Sequence, residues 1–203
     1  MSDIMAISRH RMGTDGKGIT TLVGFYGCPL NCKYCGNNYC NNPRTVRASY
    51  TAEELIDVLS IDEPYFLMSG GGVTFGGGEP LLQAPFIHEV CEKMNPSWRR
   101  TIETSLYAPW EDVALLIDDI DYWFIDIKEF NNEIYKKYTG KNNGIVIDNL
   151  KKLVTLVPAE KICLRVPLIP AFNDSERQQE EIEFIRREIS RDITVDAFEY
   201  IRC

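Results

Sequence analysis

The 203-residue chain carries 22 basic and 30 acidic residues, a net charge of -8, with 44% hydrophobic and 26% charged residues. Those proportions describe a globular chain long enough for a substantial core. They argue against a nucleic-acid backbone as the main partner, which requires clustered Lys and Arg, and no apolar run approaches the length needed to span a membrane.

In chain order, residues 4–7 read as a short strand, and the glycines of residues 13–18 as a loop. Residues 19–26, rich in β-branched and aromatic side chains, read as a strand that delivers the chain to a cysteine-containing loop. That loop continues through Asn37, Asn38, Asn41, Asn42 and Pro43 without periodicity. Thr51 and Glu54 form a capping-box signature for a helix expected to bury Leu55, Val58 and Leu59. A short strand at residues 72–75 lies between two triple-glycine runs. A helix at 84–94, a strand at 100–104, a helix at 110–117 and a strand at 122–127 follow. Two helical pieces at 131–138 and 145–154, a strand at 161–167 and a helix opening at Asn173-Asp174 come next. Ile182, Ile185 and Ile189 mark one face of that helix, and a strand at 194–201 ends the chain. Strand and helix alternate six times without a last helix. The expected fold is therefore α/β, a partial (β/α)6 TIM-like barrel with a parallel sheet and outer helices, as a single domain over residues 1–203.

The densest chemistry is Gly27-Cys28-Pro-Leu-Asn-Cys32-Lys-Tyr34-Cys35, a C-x3-C-x2-C spacing. Three thiolates on one centre would leave one iron of a four-iron cluster open, whereas an electron-transfer cluster normally takes four cysteines. Cys40 keeps an alternative open, a structural zinc site of Cys28, Cys32, Cys35 and Cys40; ordinary thiols are a third reading. Disulfides are not expected, because no leader segment is read and the seven cysteines are an odd number. Having only two histidines, His10 and His88, argues against a His-rich site or a Ser-His-Asp triad.

Each further motif falls at the carboxyl end of a predicted strand, where parallel α/β folds place their functional groups. Gly76-Gly77-Gly78-Glu79-Pro80 ends one strand, Glu103-Thr104 the next, Asp126-Ile-Lys128 the one after, and Arg165 lies near the end of the last predicted strand but one. Glycine runs alone would mean a tight turn, and the charges alone would mean ion pairs. Lysine and acid together would equally suit a zwitterionic amino-acid moiety.

These motifs together resemble the radical S-adenosylmethionine (radical SAM) enzymes, and within them the glycyl radical enzyme activating family of the pyruvate formate-lyase activating type. The resemblance runs from Asp15-Gly-Lys-Gly-Ile19 to Leu164-Arg-Val-Pro-Leu-Ile-Pro170-Ala-Phe-Asn-Asp174 and includes Tyr138-Thr-Gly140. It implies a [4Fe-4S] cluster on Cys28, Cys32 and Cys35 and S-adenosylmethionine as cofactor. Tyr34 would lie by the adenine, and Gly36 would be a further cofactor-binding position. Gly77, Gly78 and Glu79 would hold the methionine amino end, and Lys128 its carboxylate. Glu103, Thr104 and Asp126 match positions that line a monovalent-cation and cofactor site, with Arg165 at the same mouth. Gly36 stands where relatives often carry histidine, and Glu103 where aspartate is usual. Relatives also continue to a histidine that touches the cofactor ribose; the sequence ends at Cys203, so that contact is expected to have no counterpart. No long insert follows the cysteine loop, so further ferredoxin-like clusters are not expected.

The implied activity is reductive cleavage of S-adenosylmethionine and hydrogen abstraction from a glycine of a partner glycyl radical enzyme. A flavodoxin or ferredoxin-like reductant would supply the electron, in an anaerobic, cytoplasmic setting. A radical SAM enzyme acting on a peptide or small molecule has the same framework.

Overall fold

The computed structural model describes residues 1–199. Its frame is one eight-stranded sheet. The strands are β1 (Ser2–Met12), β2 (Ile19–Phe25), β3 (Ala48–Tyr50), β4 (Gly72–Gly77), β5 (Arg99–Thr104), β6 (Tyr122–Asp126), β7 (Ile162–Leu168) and β8 (Thr194–Glu199), in the order β3-β1-β2-β4-β5-β6-β7-β8. From β2 to β8 every pairing is parallel. Helices occupy the crossovers, as parallel neighbours require: α1 (Ala52–Ser60) and α2 (Glu63–Ser69), α3 (Ala84–Lys93), α4 (Trp110–Leu115), α5 (Asn132–Thr139) and α6 (Gly144–Leu156), and α7 (Ser175–Phe184). This is the expected partial barrel of six parallel strands.

The differences lie mostly at its start. The short first strand is eleven residues long, and it and β3 run antiparallel to their neighbours. Register shifts between Ile4 and Ala6 and between Ser8 and Arg11 break its two-residue alternation and hide its length. Neither β3 nor α2 is anticipated. The capping box at Thr51 forms with both hydrogen bonds, and α1 buries Ala52, Leu55 and Leu59, leaving Val58 half-buried. After α7 the chain makes a π-helical turn, Ile185–Ile189, with Ile185 buried and Ile182 and Ile189 packed against the core. Tyr200 and Ile201 of the expected last strand lie outside the described residues.

Two-residue periodicity sorts the strands into faces. Val73, Phe75, Ile102, Trp123, Ile125 and Leu164 are fully buried in the main core, which the helices share through Leu55, Ile87, Val113 and Leu150. The opposite parity lines the barrel and is mostly polar, Leu22 and Phe124 being apolar exceptions. Thr74 donates to the Asp15 carbonyl at 2.6 Å, and Arg165 bonds Glu103 at 2.9 Å and the Thr14 carbonyl at 2.8 Å. The loop of residues 13–18 is thereby tied to these side chains, with Asp15 buried and ion-paired to Arg11 while Gly13, Thr14 and Lys17 stay exposed. The carboxyl ends of the strands remain open above it.

Candidate functional site

β2 ends at Phe25, and the cysteine loop is then tied from three directions. The Gly27 amide donates to the Cys40 carbonyl at 2.8 Å, closing the loop on itself. Asn41 brackets Cys28: its Oδ1 accepts from the Cys28 amide at 2.8 Å, and its Nδ2 donates to the Cys28 carbonyl at 2.9 Å. On the far side the Asn31 amide bonds the Thr139 carbonyl at 2.9 Å, and the Lys33 amide bonds the Tyr138 carbonyl at 3.1 Å. The end of α5 therefore braces the loop, which gives the Tyr138-Thr-Gly140 motif a structural reason. Asn37 reaches across to the Gly77 carbonyl at 2.8 Å. In the sequence, Asn37 and Asn41 carry no signal beyond being asparagines in a loop.

Cys28, Cys32 and Cys35 line one cavity of about 150 Å³, together with Gly36, Gly77, Gly78, Glu79, Glu103, Thr104, Asp126 and Lys128. Leu30, Asn37, Cys40 and Ser105, not assigned from the resemblance, also line it. Tyr34 and Arg165 lie outside the lining. The Tyr34 ring packs against Tyr138 and edge-on against Phe172, and Arg165 lies 4.1 Å over the Phe124 ring.

The electrostatics suit a cationic group among the thiols. Burial pushes the Cys28 thiol up to about 12, against a backbone hydrogen bond and with nearby Glu79 adding to the rise. Burial likewise carries Cys32 to about 11, with Lys128 pulling the other way. Such thiols stay protonated until a metal charge stabilises the thiolate. A sulfur-bound iron cluster fits this donor set. Among the described residues, no three His, Cys, Asp or Glu side chains stand close enough together to hold a single metal ion; the three cysteines line a cavity instead of enclosing one ion.

The glycine turn is dictated by close backbone approach. Gly77 has φ +94°, and a Cβ there would lie 2.6 Å from Gly24 Cα; at Gly78 it would lie 2.1 Å from the Gly27 carbonyl oxygen. The amides of Gly78 and Glu79 bond the carbonyls of Phe25 and Gly27 at 3.0 and 2.8 Å. With these amides engaged, what the turn can offer a ligand is carbonyl oxygen, that of Gly77 already accepting once from Asn37 and that of Glu79 once from Leu82; such oxygens suit an ammonium group. The Glu79 carboxylate turns inward, accepting from Thr104 Oγ1, from the Ser105 amide and Oγ and from the Leu81 amide at 2.5–3.3 Å. Burial still pushes its carboxyl upward against those bonds.

Both ion pairs open to the sequence reading are formed. Lys128 bonds Asp126 at 3.0 Å with its side chain 9% exposed, and Arg165 bonds Glu103 at 2.9 Å. Burial raises Glu103 and Arg165 lowers it. The cavity thus presents thiols, carbonyl oxygens, one ammonium and acids within a single cleft, a combination able to chelate and orient a zwitterion.

Comparison with known proteins agrees with this geometry. The radical SAM superfamily pattern matches residues 22–181. The 4-hydroxyphenylacetate decarboxylase activating enzyme of Clostridioides difficile is 38% identical, over 89% of this chain and 75% of its own. That alignment spans 244 positions, more than the 203 residues here, so the relative carries inserted residues that this chain lacks. The pyruvate formate-lyase-activating enzyme of Clostridium pasteurianum is 34% identical, over 92% of this chain and 77% of its own. In fold, the chain is similar to Streptococcus suis SuiB, crystallised bound to S-adenosylmethionine, with a TM-score of 0.65 at 16% identity over 88% of this chain and 39% of that one. The chain belongs to the radical SAM superfamily, and within it is an enzyme of the glycyl radical enzyme activating type.

Proposed function

We propose that this chain, acting as one radical SAM domain, takes a hydrogen atom from a glycine Cα of a partner glycyl radical enzyme, with Cys28, Cys32 and Cys35 holding a [4Fe-4S] cluster. The observation that carries the reading is the convergence of those cysteines, the Gly77–Glu79 turn and Lys128 on one cavity. When bound, the cluster and S-adenosylmethionine supply a one-electron cleavage of the sulfonium and a carbon radical able to abstract hydrogen.

The protein's own part is orientation and electrostatics. Carbonyl oxygens of the Gly77–Glu79 turn receive the amino group of the cofactor, and the Lys128 ammonium its carboxylate, while Asp126 balances Lys128. Tyr34 sits at the adenine side. Glu103 and Thr104 line the same cavity as the cysteines, and any monovalent cation belongs beside them. No side-chain acid–base pair is needed. The sheet is open at β8, which pairs with β7 among the described residues, and the partner's glycine loop enters from that side. A flavodoxin or ferredoxin-like protein supplies the electron, in the cytoplasm; among the described residues no helix is long and apolar enough to cross a membrane.

Lys128→Ala is expected to weaken S-adenosylmethionine binding by about 10–150-fold, the value of a lost charge-assisted hydrogen bond of roughly 1.5–3 kcal/mol. Iron content should be unchanged. Equilibrium binding to the anaerobically reconstituted protein measures it, and wild-type affinity in the variant would remove Lys128 from the site.

The function itself is tested by deuterium. A partner, or a peptide of its glycine loop, carrying deuterium on the glycine Cα is incubated anaerobically with enzyme, reductant and cofactor. Deuterium should appear in 5′-deoxyadenosine. Transfer from a small molecule and never from a co-encoded glycyl radical partner would leave the superfamily assignment and overturn the activating role.

A further inference from the structure

Glu129 and Glu181 are each 1% exposed and take no part in the chemistry above. Glu129 directly follows Lys128, and Glu181 lies on α7. Glu129 Oε1 accepts from Arg177 at 2.8 Å (Nη2) and 3.1 Å (Nε) and from the Asn131 amide at 2.8 Å. Glu181 Oε1 accepts from the Phe130 amide at 2.6 Å. The remaining oxygens, Oε2 of Glu129 and Oε2 of Glu181, are buried with no hydrogen-bond partner. Burial, with Glu129 beside it, pushes the Glu181 carboxyl up to about 9. At neutral pH Glu181 therefore keeps its proton.

All these bonds grip the three residues immediately after Lys128. The sheet's last bond on this segment is from the Ile127 amide to the Arg165 carbonyl at 3.0 Å, so Lys128 is the first residue past the ladder. Asn143 closes the other side, donating to the carbonyls of Glu129 and Phe130 at 3.2 and 2.7 Å. We propose that the Glu129–Glu181 pair, with Arg177, is a positioning device that sets where Lys128 stands in the cofactor cavity. This rests on the reading of Lys128 as the carboxylate partner, and it makes α7, outside the cavity lining, a determinant of cofactor affinity.

Arg177 faces the pair from α7, its Nη1 also holding Glu180 at 2.9 Å. Glu183 and Arg187 line the neighbouring cavity, to which α6 contributes Ile147. The folded value of Glu181 lies above its ordinary 4.5. Its contribution is thus complete below about 4.5 and is lost as pH rises through about 9. Beyond that, a buried charge forms on Glu181, where it holds the Phe130 amide, and the segment after Lys128 loosens.

The test measures S-adenosylmethionine affinity of the anaerobically reconstituted holoprotein from about pH 7 to about pH 10, with iron content recorded. Glu181→Leu should bind about tenfold more weakly with full iron content, the scale of a lost outer-shell partner. Glu181→Gln should rescue that affinity, its amide standing in for the protonated acid. It should also lack the alkaline decline of the wild type; comparing the two proteins cancels the cofactor's own titration. Wild-type affinity in Glu181→Leu, or an undiminished alkaline decline in Glu181→Gln, overturns the proposal. If Glu181→Leu fails to fold, the pH comparison with Glu181→Gln decides alone. Lys128→Ala is run beside them. Unchanged affinity there overturns the reading of Lys128 and this proposal with it; weakened binding there beside indifferent Glu181 variants overturns this proposal only.

Discussion

Alanine at Cys28, Cys32 or Cys35 is expected to abolish cluster assembly, whereas Cys40→Ala keeps it. Each of the three thiols is half-buried on the cavity wall, and losing one leaves a cluster with too few ligands to be retained. Cys40 is the discriminating position because it lines the same cavity and lies 4% exposed. Its structural work is done by backbone: its amide bonds the Asn37 carbonyl at 2.9 Å, and its carbonyl accepts from Gly27. Alanine keeps both bonds, so the loop should survive the substitution. Iron, sulfide and visible absorbance after anaerobic reconstitution provide the measurement. Loss of iron from the Cys40 variant equal to that of the other three would establish four-cysteine ligation and take the open-iron chemistry with it.

The second large effect is expected from Gly78→Ala. The added Cβ would stand 2.1 Å from the Gly27 carbonyl oxygen and 3.0 Å from that of Phe25. Both neighbours are backbone at the end of β2, so no side chain can rotate away. The strand end must move, and with it the first residue of the cysteine loop. A loss of about 3 kcal/mol in folding stability is expected, the upper range for overpacking, together with poor iron loading. Gly36→Ala is the internal control: nothing lies within 4 Å of its added Cβ, so a change within about 0.5 kcal/mol is expected. Urea unfolding of the two variants before reconstitution reads the difference. Equal midpoints would show that the glycine turn is free to shift.

The parallel barrel was legible because its strands carry apolar side chains and its helices carry caps and stripes. Phe75, Trp123 and Leu164 fall on one face, and Thr51 with Glu54 form the expected box. What stayed hidden has physical reasons. α2 is seven residues with no side-chain cap at Asp62 and only Phe66 buried, too short for a period to show. The π-helical turn leaves the isoleucine spacing unchanged while altering the hydrogen bonds beneath it. Within the site, the strand-end motifs led to eleven residues of one cavity, but Ser105 followed no motif. Glu129 and Glu181 meet only through tertiary packing, and nothing in either local sequence announces the other.

The inward turn of Glu79 has a consequence for strand alignment. A parallel pair can slip by a residue, and a slip exchanges every inward side chain for an outward one. Side-chain fit normally forbids it, and in β4, Gly-Val-Thr-Phe-Gly-Gly, the buried Val73, Thr74 and Phe75 supply that fit while the glycines at its carboxyl end add none. The Glu79 carboxylate, just past β4, is bound by Thr104 and Ser105 at the end of β5. Moving β4 one step along β5 would strand a buried carboxyl without donors, a penalty added to the loss of Val73 and Phe75 from the core. One acid at the rim therefore reinforces the axial offset of two strands where glycines cannot, and keeps the glycine turn level with Glu103 and Thr104.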